Sequence, residues 1–313
     1  MKNEIILLRE GFWMIDLLLI VLPAFLIFGT GYIGQRMLKL NIKSISTMAL
    51  YLMLPFLTFD TFYTNELNMN YLYMFVFTAG LALILIVVTL LVGKAAGADR
   101  PKMAAMLLGS LFPNSGNYGA PVVLFAFGAT AFNYAVIIMV IHSLLVSSIG
   151  IFIASYGGGK SASHKQALSN IIKMPVLYGV FFGIVLQLMH LELPPTIIDG
   201  ISLVGSASIP TVMLILGMQL AEIKPQKFEW KYVNAILFTR MAASPLIAAA
   251  LVILMPVDEL IKSVFVILAA MPVAANTTML ALQFDVEPDL ISFTTLITTL
   301  VSLVTIPLTL YLL

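Results

Sequence analysis

Ten long apolar runs determine what this chain can fold into. Each has roughly the 20 residues that a helix needs to cross the hydrocarbon core of a bilayer. Hydrophobic residues make up 61% of the 313-residue sequence and charged residues only 10%, which is too apolar for the surface of a soluble domain. The sequence therefore predicts an all-α polytopic membrane protein with ten transmembrane helices: 14–35, 45–63, 71–93, 103–128, 131–155, 171–190, 197–220, 232–254, 260–283 and 290–313.

The ten predicted spans divide into two halves that repeat the same landmarks. A stretch rich in Gly, Ser and Lys, 156–170, is interpreted as a linker between repeat one, 14–155, and repeat two, 171–313, within a single transmembrane domain, 1–313. The matching landmarks are Pro23 with Pro175, Gly31 with Gly183, Gln35 with Gln187, Pro55 with Pro210, and Pro113 with Pro272. Because each repeat has five spans, the second enters the membrane from the opposite side, as in inverted-repeat secondary transporters.

The basic residues predict the orientation of the spans. Twelve of the sixteen Lys and Arg residues fall in the connections between spans 1 and 2, 3 and 4, 5 and 6, and 7 and 8. Cytoplasmic loops carry the excess of Lys and Arg in membrane proteins, so these connections are predicted to be cytoplasmic. We therefore expect a multi-pass protein of the cytoplasmic (plasma) membrane with both termini outside.

Spans 4 and 9 are interrupted near their centres by sequences that are unusual inside a membrane. Span 4 contains "FPNSGNYGAP" (112–121), and span 9 contains "MPVAANTT" (271–278). Pro113, Pro121 and Pro272 remove backbone donors and clash with the preceding turn. Gly116 permits backbone geometry that a helix does not need. Interrupted helices in corresponding positions of inverted repeats indicate the substrate site of a transporter.

The chemistry of these two segments favours a small anion. The second half of a broken helix begins with free N–H groups and a partial positive charge. Asparagine amides add neutral donors without the cost of burying a charge. The substrate-binding residues predicted from the two segments are Asn114, Ser115, Asn117, Gly119, Asn276 and Thr277. The alternative is that both segments are helix kinks whose backbone groups are satisfied by neighbouring helices.

These segments carry a family resemblance that extends over essentially the whole chain. "FPNSGNYGAPVVLFAFG" in span 4 and "AAMPVAANTTMLALQFDVEPDLISFTTLITTLVSLVTIPL" through spans 9 and 10 resemble the auxin efflux carrier family, which includes plant auxin exporters and bacterial malate or malonate permease-like proteins. The Pro-Asn pair of the plant helix-4 motif corresponds to Pro113-Asn114. The short central linker is similar to that of the compact members of the family, and Gly116-Asn117 departs from the apolar plant motif.

The resemblance implies both a fold and a mechanism. It implies ten helices in two inverted five-helix repeats, with helices 4 and 9 crossing at their broken centres. Helices 1, 2, 6 and 7 would form a scaffold, and helices 3–5 and 8–10 a moving transport domain. The implied function is a secondary active transporter that carries a small organic anion, a mono- or dicarboxylate, by an elevator type of alternating access.

Four further polar residues lie within the predicted spans. Arg240 is near the middle of span 8, where a buried charge indicates function by default, and its planar fork matches a carboxylate. We therefore add Arg240 to the substrate-binding set, with an internal salt bridge to Asp60 as the alternative. Asp60, Asp199 and His142 are the candidates for proton or ion coupling, since imidazole titrates near neutral pH. Hydrated helix ends for the carboxylates and helix packing for His142 are the alternatives.

The remaining sequence features argue against metal-dependent, ATP-driven and nucleic-acid-binding proteins. There is no Cys, and no metal-ligand cluster, ATP-binding signature or cofactor motif is found. A net charge of +1 without a basic tract argues against a nucleic-acid partner. The expected partners are a small organic anion, the lipid bilayer, a coupling ion (proton or sodium) and a second copy in a homodimer. An intramembrane enzyme and a channel or receptor remain as alternatives, although Ser115 has no His or Lys in its segment to act as a base.

Overall fold

Helices make up nearly all of the described structure. The computed structural model describes residues 14–159, 168–169, 171–223 and 229–313, and within these ranges there is no strand beyond one isolated bridge between Pro113 and Val273. The helices are α1 Met14–Leu38, α2 Ile42–Thr64, α3 Met69–Ala95, α4 Arg100–Leu111, α5 Ser115–Gly157, α6 Pro175–Leu188, α7 Pro195–Glu222, α8 Trp230–Val252, α9 Glu259–Ala269, α10 Ala275–Phe284 and α11 Pro288–Leu312.

Seven helices in the described ranges are long and apolar enough to cross a membrane. They are α1 (from Leu19), α2, α3, α5, α7, α8 and α11. Helix α6 is a shorter apolar helix of 14 residues. Helices α4, α9 and α10 have 12, 11 and 10 residues, too few to span a bilayer alone. The chain is therefore an all-helical membrane protein that contains both full-length and interrupted helices.

The interrupted helices lie in the interior. Every residue from Ala104 to Leu111 of α4 is buried, and so is every residue from Val264 to Ala269 of α9. Both helices begin at an acidic N-cap, because Asp99 accepts from the amide of Lys102 and Asp258 from that of Ile261, each at 3.0 Å, which satisfies an otherwise unpaired donor. The caps fix where these short helices start, and their burial directs their C-terminal ends towards the centre of the protein.

Two pairs of helices pack closely through glycines. A Cβ on Gly31 of α1 would lie 2.2 Å from Leu214 O, and one on Gly217 of α7 would lie 2.0 Å from Phe28 O. A Cβ on Gly179 of α6 would lie 2.2 Å from Pro55 O of α2. These distances are below any van der Waals contact, so only glycine allows the two backbones to approach so closely.

Glutamine side chains connect the ends of the same two pairs. In the α1–α7 pair, Gln35 Nε2 donates to Glu222 Oε1 at 2.8 Å. In the α6–α2 pair, Gln187 Nε2 donates to the carbonyl of Asn65 at 2.8 Å. Each pair is thus held by a glycine contact along its length and a glutamine at its end.

The boundary between predicted spans 4 and 5 coincides with a kink. The sequence predicts a short connection near 129–130, and α5 consists of two helices that meet at a kink at the preceding residue, Gly128. Gly128 alone has a non-helical conformation there, with φ 83 and ψ −171, a region that glycine adopts readily. The predicted linker 156–170 lies largely outside the described residues.

Candidate functional site

The two breaks in the helices contact each other directly. The first break, residues 112–114, separates α4 from α5, and the second break, residues 270–274, separates α9 from α10. The amide of Asn114 donates to Pro272 O at 2.8 Å, and the amide of Ala274 donates to Phe112 O at 3.0 Å. Backbone N–H and C=O groups that are not bonded within a helix need other hydrogen-bond partners inside a membrane. Here each break provides a backbone partner for the other.

Side chains of α11 stabilise the second break. Thr298 Oγ1 accepts from the amide of Val273 at 3.2 Å, while its hydroxyl donates to Thr294 O at 2.8 Å. Thr277 is fully buried and donates to Ala274 O at 2.7 Å. The polar groups at the second break are therefore largely used in holding the break itself.

Tyr118 anchors the start of α5 after the first break. Its hydroxyl is 2.9 Å from Ser302 Oγ, and its ring makes edge contacts with Phe25 and Phe28 at 5.7 and 5.0 Å between centroids. The side chain is fully buried, so the residues on the opposite face of this turn are directed away from the aromatic cluster.

A cavity of about 410 Å³ opens beside the two breaks. We call it the break cavity. Residues from four helices and both breaks surround it, with α2, α5 and α6 forming the walls and α10 contributing Asn276. Its polar lining residues are Tyr51, Asn114, Ser115, Asn117, His142, Ser143, Ser147, Lys173 and Asn276, and Pro113 and Gly116 also line it.

Two buried polar atoms at the break cavity have no protein partner in the described structure. Asn114 is 4% exposed, and its Nδ2 is buried without a hydrogen-bond acceptor. His142 Nδ1 is likewise buried and unpaired among the described residues. Asn276 is exposed in the first turn of α10. The first amides of a helix also lack intrahelical acceptors, so α5 and α10 both present donors near the cavity.

Some residues predicted for the site lie elsewhere. Thr277 and Gly119 do not line the break cavity, since Thr277 bonds within its own turn and a Cβ on Gly119 would meet Leu268 Cδ2 at 2.6 Å. Pro121 begins the regular α-helical part of α5, and Pro272 holds the amide of Asn114 through its carbonyl. Both prolines therefore shape the breaks without lining the cavity.

The charged candidates are also separate from the break cavity. Arg240 lies in a second, much smaller cavity of about 10 Å³, which His142 and Pro113 also line. Asp60 accepts a hydrogen bond from Ser202 Oγ at 3.0 Å, and Asp199 is exposed. Neither carboxylate lines the break cavity, and Arg240 forms no salt bridge to Asp60.

The sequence did not predict which residues of α2 and α5, or next to α6, line the break cavity. Ser143 and Ser147 are one helical turn apart and follow Met139 on the same face, so a polar stripe on span 5 was available as a signal. From the sequence, Lys173, which lies two residues before α6, is a loop charge that indicates orientation and carries no signal for the cavity. Tyr51 carries no signal in the sequence that separates it from other aromatic residues in spans.

The lining of the break cavity has a chemistry that can accommodate a negatively charged group. No cluster of three metal-ligating side chains occurs among the described residues. The cavity combines neutral amides and hydroxyls with the starts of two helices, which favour negative charge. Lys173 adds a cation at its edge.

An all-helical membrane protein with two interrupted helices around an interior polar cavity has the construction of a transport protein. The chain belongs to the family described as "Membrane transport protein", which matches residues 14–310. This confirms the resemblance to the auxin efflux carrier family.

Similar proteins carry transporter names. An "Uncharacterized transporter" of Methanothermobacter thermautotrophicus is 24% identical over 306 residues, covering 94% of this chain and 95% of that protein. An "Uncharacterized transporter" of Methanocaldococcus jannaschii is 28% identical over 66% of this chain and 67% of its own length. A "Putative malonate transporter" of Rhizobium meliloti is 27% identical over 64% of each chain. Family and relatives thus indicate a membrane transporter rather than an enzyme.

Proposed function

We propose that this protein is a secondary active transporter that moves a small organic anion, a mono- or dicarboxylate, across the cytoplasmic membrane. The observation that carries the proposal is the break cavity, where two contacting helix breaks present the unpaired side-chain amide of Asn114 and the starts of two helices. Such half-helix ends at membrane depth are the usual binding elements of secondary transporters for anionic groups.

The glycine-packed pairs support ten helices in two inverted repeats. Under that arrangement span 1 corresponds to span 6 and span 7 to span 2, so the α1–α7 and α6–α2 pairs should be equivalent. Gly31 and Gly183, matched in the sequence, each face the backbone of the partner helix, with Cβ distances of 2.2 and 2.9 Å to Leu214 O and Phe59 O. Gln35 and Gln187 likewise bond the end of the partner helix.

The position of the break cavity supports an elevator type of alternating access. On one side it is lined by Tyr51 and Lys173, beside the closely packed helices that would form the scaffold. On the other side it is lined by Asn114 and Asn276, in the segments that would move. A substrate bound to the moving segments could then be carried past the fixed wall as one unit.

The cavity would face the cytoplasm in this conformation. Lys173, at the start of α6, lines it, and the connection to which Lys173 belongs is predicted to be cytoplasmic from the excess of Lys and Arg. The same reasoning places both termini outside.

We assign direct substrate contacts to Asn114, Ser115, Asn117 and Asn276. Neutral donors suit a carrier, because binding has to replace the hydration of the anion and still permit its release. A dicarboxylate such as malonate, which the name of one relative mentions, is a suitable first substrate. For coupling, His142 is the candidate that reaches the cavity, with either a proton or sodium as the ion.

Counterflow in proteoliposomes tests the function. Vesicles loaded with unlabelled malonate should accumulate external labelled malonate without ATP, and an imposed pH, sodium or voltage gradient should identify the coupling. A monocarboxylate and an uncharged amide of similar size serve as competitors, of which the amide should not compete. A channel would equilibrate the label without transient accumulation, and an enzyme would convert the substrate chemically. Absence of exchange with every small carboxylate, in vesicles containing folded protein, would reject the proposal.

A further inference from the structure

Arg240 is a fully buried charge that has no carboxylate partner among the described residues. It lies in the π-helical turn Thr239–Ala243 of α8 and is 0% exposed. The ion pairs found among the described residues involve Lys102, Lys231 and Lys262, not Arg240. Because burying an unpaired charge in a membrane interior is costly, other groups must compensate its charge.

The guanidinium group bonds carbonyls from both broken helices. Arg240 Nη1 donates to Ser110 O at 2.9 Å, and Nη2 donates to Ala269 O. Ser110 is in the last turn of α4, and Ala269 is the last residue of α9. Ser244 accepts from Arg240 Nη2 and donates to Ala269 O at 2.8 Å. One side chain therefore satisfies a terminal carbonyl of the first half of each interrupted helix.

Helix electrostatics give this contact a consequence for anion binding. The C-terminal end of a helix carries a partial charge of about −0.5 and leaves its last carbonyls unpaired. The ends of α4 and α9 together present about one negative charge directly behind the break cavity. If uncompensated, this charge would oppose a carboxylate bound on the other side of the breaks.

We propose that Arg240 is a positioning residue that joins the C-terminal ends of α4 and α9 and neutralises them. The inference rests on the proposed function for the identity of the substrate, but the geometry of the contact stands independently of it. The role differs from direct substrate binding, since Arg240 bonds the protein backbone and does not line the break cavity. Its planar fork suits two carbonyls, whereas a lysine has a single ammonium to offer.

The first test measures how the affinity depends on the charge of residue 240. Arg240→Lys keeps the positive charge without the fork, and Arg240→Gln removes both. We expect the half-saturation constant in counterflow to rise by a few-fold in Arg240→Lys and roughly tenfold or more in Arg240→Gln, with a larger effect for a dicarboxylate than for a monocarboxylate. Arg36→Gln, which changes an exposed arginine of α1, is the matched control. Its half-saturation constant should equal that of the wild type.

The second test requires no transport. Pro113 and Val273 face each other as a pair flanked by the two inter-break hydrogen bonds, a geometry with Cα atoms about 4.5 Å apart, which a disulfide can bridge. With both residues changed to cysteine in this Cys-free chain, oxidation should be several-fold slower when Arg240 is also changed to Gln. Ser244→Ala, which retains the charge, should give a smaller reduction.

The outcomes separate the two proposals. Slower cross-linking in Arg240→Gln, in a protein that exchanges no carboxylate, would support the positioning role and reject the transport function. Equal cross-linking in both backgrounds, or wild-type affinity in folded Arg240→Gln, would overturn the positioning role. Equal losses of affinity in the Lys and Gln variants, independent of substrate charge, would overturn its electrostatic part. If Arg240→Gln does not fold, Arg240→Lys and Ser244→Ala carry the same tests.

Discussion

The two helix breaks have similar sequences and face each other, yet their polar groups are used differently. At the second break, the amide of Val273 donates to Thr298 Oγ1, and the hydroxyl of Thr277 donates to Ala274 O. At the first break, the backbone is satisfied by the second break, but the Asn114 side-chain amide has no acceptor among the described residues. The two breaks therefore differ: the hydroxyls at the second break support the backbone, whereas the first break presents a side-chain donor without an acceptor among the described residues.

This difference shows that two segments with similar sequences need not have the same function. A transporter needs rigid geometry at its site as well as groups that are free to bind. A donor already engaged in the protein contributes to stability, whereas a buried donor without a partner gains most from a ligand. The first break should therefore dominate substrate affinity, and the second should dominate the stability of the site.

The largest expected effect concerns Asn114. Asn114→Ala removes the unpaired amide while leaving its backbone hydrogen bonds, so folding should be retained. One hydrogen bond to a charged group contributes about 1.5–3 kcal/mol, so the half-saturation constant in counterflow should rise roughly 10- to 100-fold. Asn114→Asp should be worse, because a like charge would face the carboxylate. Asn276→Ala should show a loss in the same direction.

The matched control for Asn114 is Asn234→Ala, an exposed amide on α8 that lies outside the break cavity. It should exchange substrate as the wild type does. Wild-type affinity in both Asn114→Ala and Asn276→Ala would mean that the breaks act as hinges and that the site lies elsewhere.

An intermediate effect is expected at Thr298. Thr298→Val preserves the shape and removes the acceptor for the Val273 amide, which should lower the free energy of unfolding by about 1–3 kcal/mol. Thermal denaturation in detergent measures this loss. Ser143→Ala, on the cavity wall, is the comparison and should leave the melting temperature nearly unchanged. A loss of stability in Thr298→Val no larger than that in Ser143→Ala would contradict the supporting role of Thr298 at the second break.

The smallest effect is expected at Lys173. It is an exposed cation that lines the break cavity, and exposed charges contribute about 0.2–1 kcal/mol. Lys173→Gln should therefore raise the half-saturation constant by about 1.4- to 5-fold at low ionic strength, and less at high salt. Exchange measured at two salt concentrations tests this, with Lys94→Gln as the control. An effect of equal size at both salt concentrations would indicate a packing role.

The sequence predicted the positions of the helices well because bilayer crossing leaves a strong signal. Long apolar runs indicated helical segments, and Pro113 and Pro272 indicated both breaks. The boundary between spans 4 and 5 was also predictable, since "FGATAFNY" contains residues common in connections and the backbone leaves the helical conformation at Gly128 within it. That one glycine replaces a longer connection there depends on packing, which periodicity does not report.

The residues of the site were only partly predictable. Asn114, Ser115, Asn117 and Asn276 line the break cavity, and their binding of a substrate stays a prediction. The orientation of the Thr277 side chain could not be inferred from the sequence. A hydroxyl in the first turn of a helix can form a hydrogen bond either with a ligand or with the backbone of its own turn. The sequence predicts a functional role for Arg240 from its position in the middle of span 8. Its two carbonyl partners are 130 and 29 residues away in the sequence, so these contacts can be identified only from the folded structure.

The short helix α6 has a consequence for the surrounding lipid. Its 14 residues extend about 21 Å at 1.5 Å per residue, compared with a hydrocarbon thickness of about 30 Å. Such hydrophobic mismatch is relieved when lipid chains compress beside the helix. The bilayer should therefore be thinnest next to the start of α6, where Lys173 lines the break cavity, and exchange should slow as the acyl chains of the reconstituting lipid are lengthened.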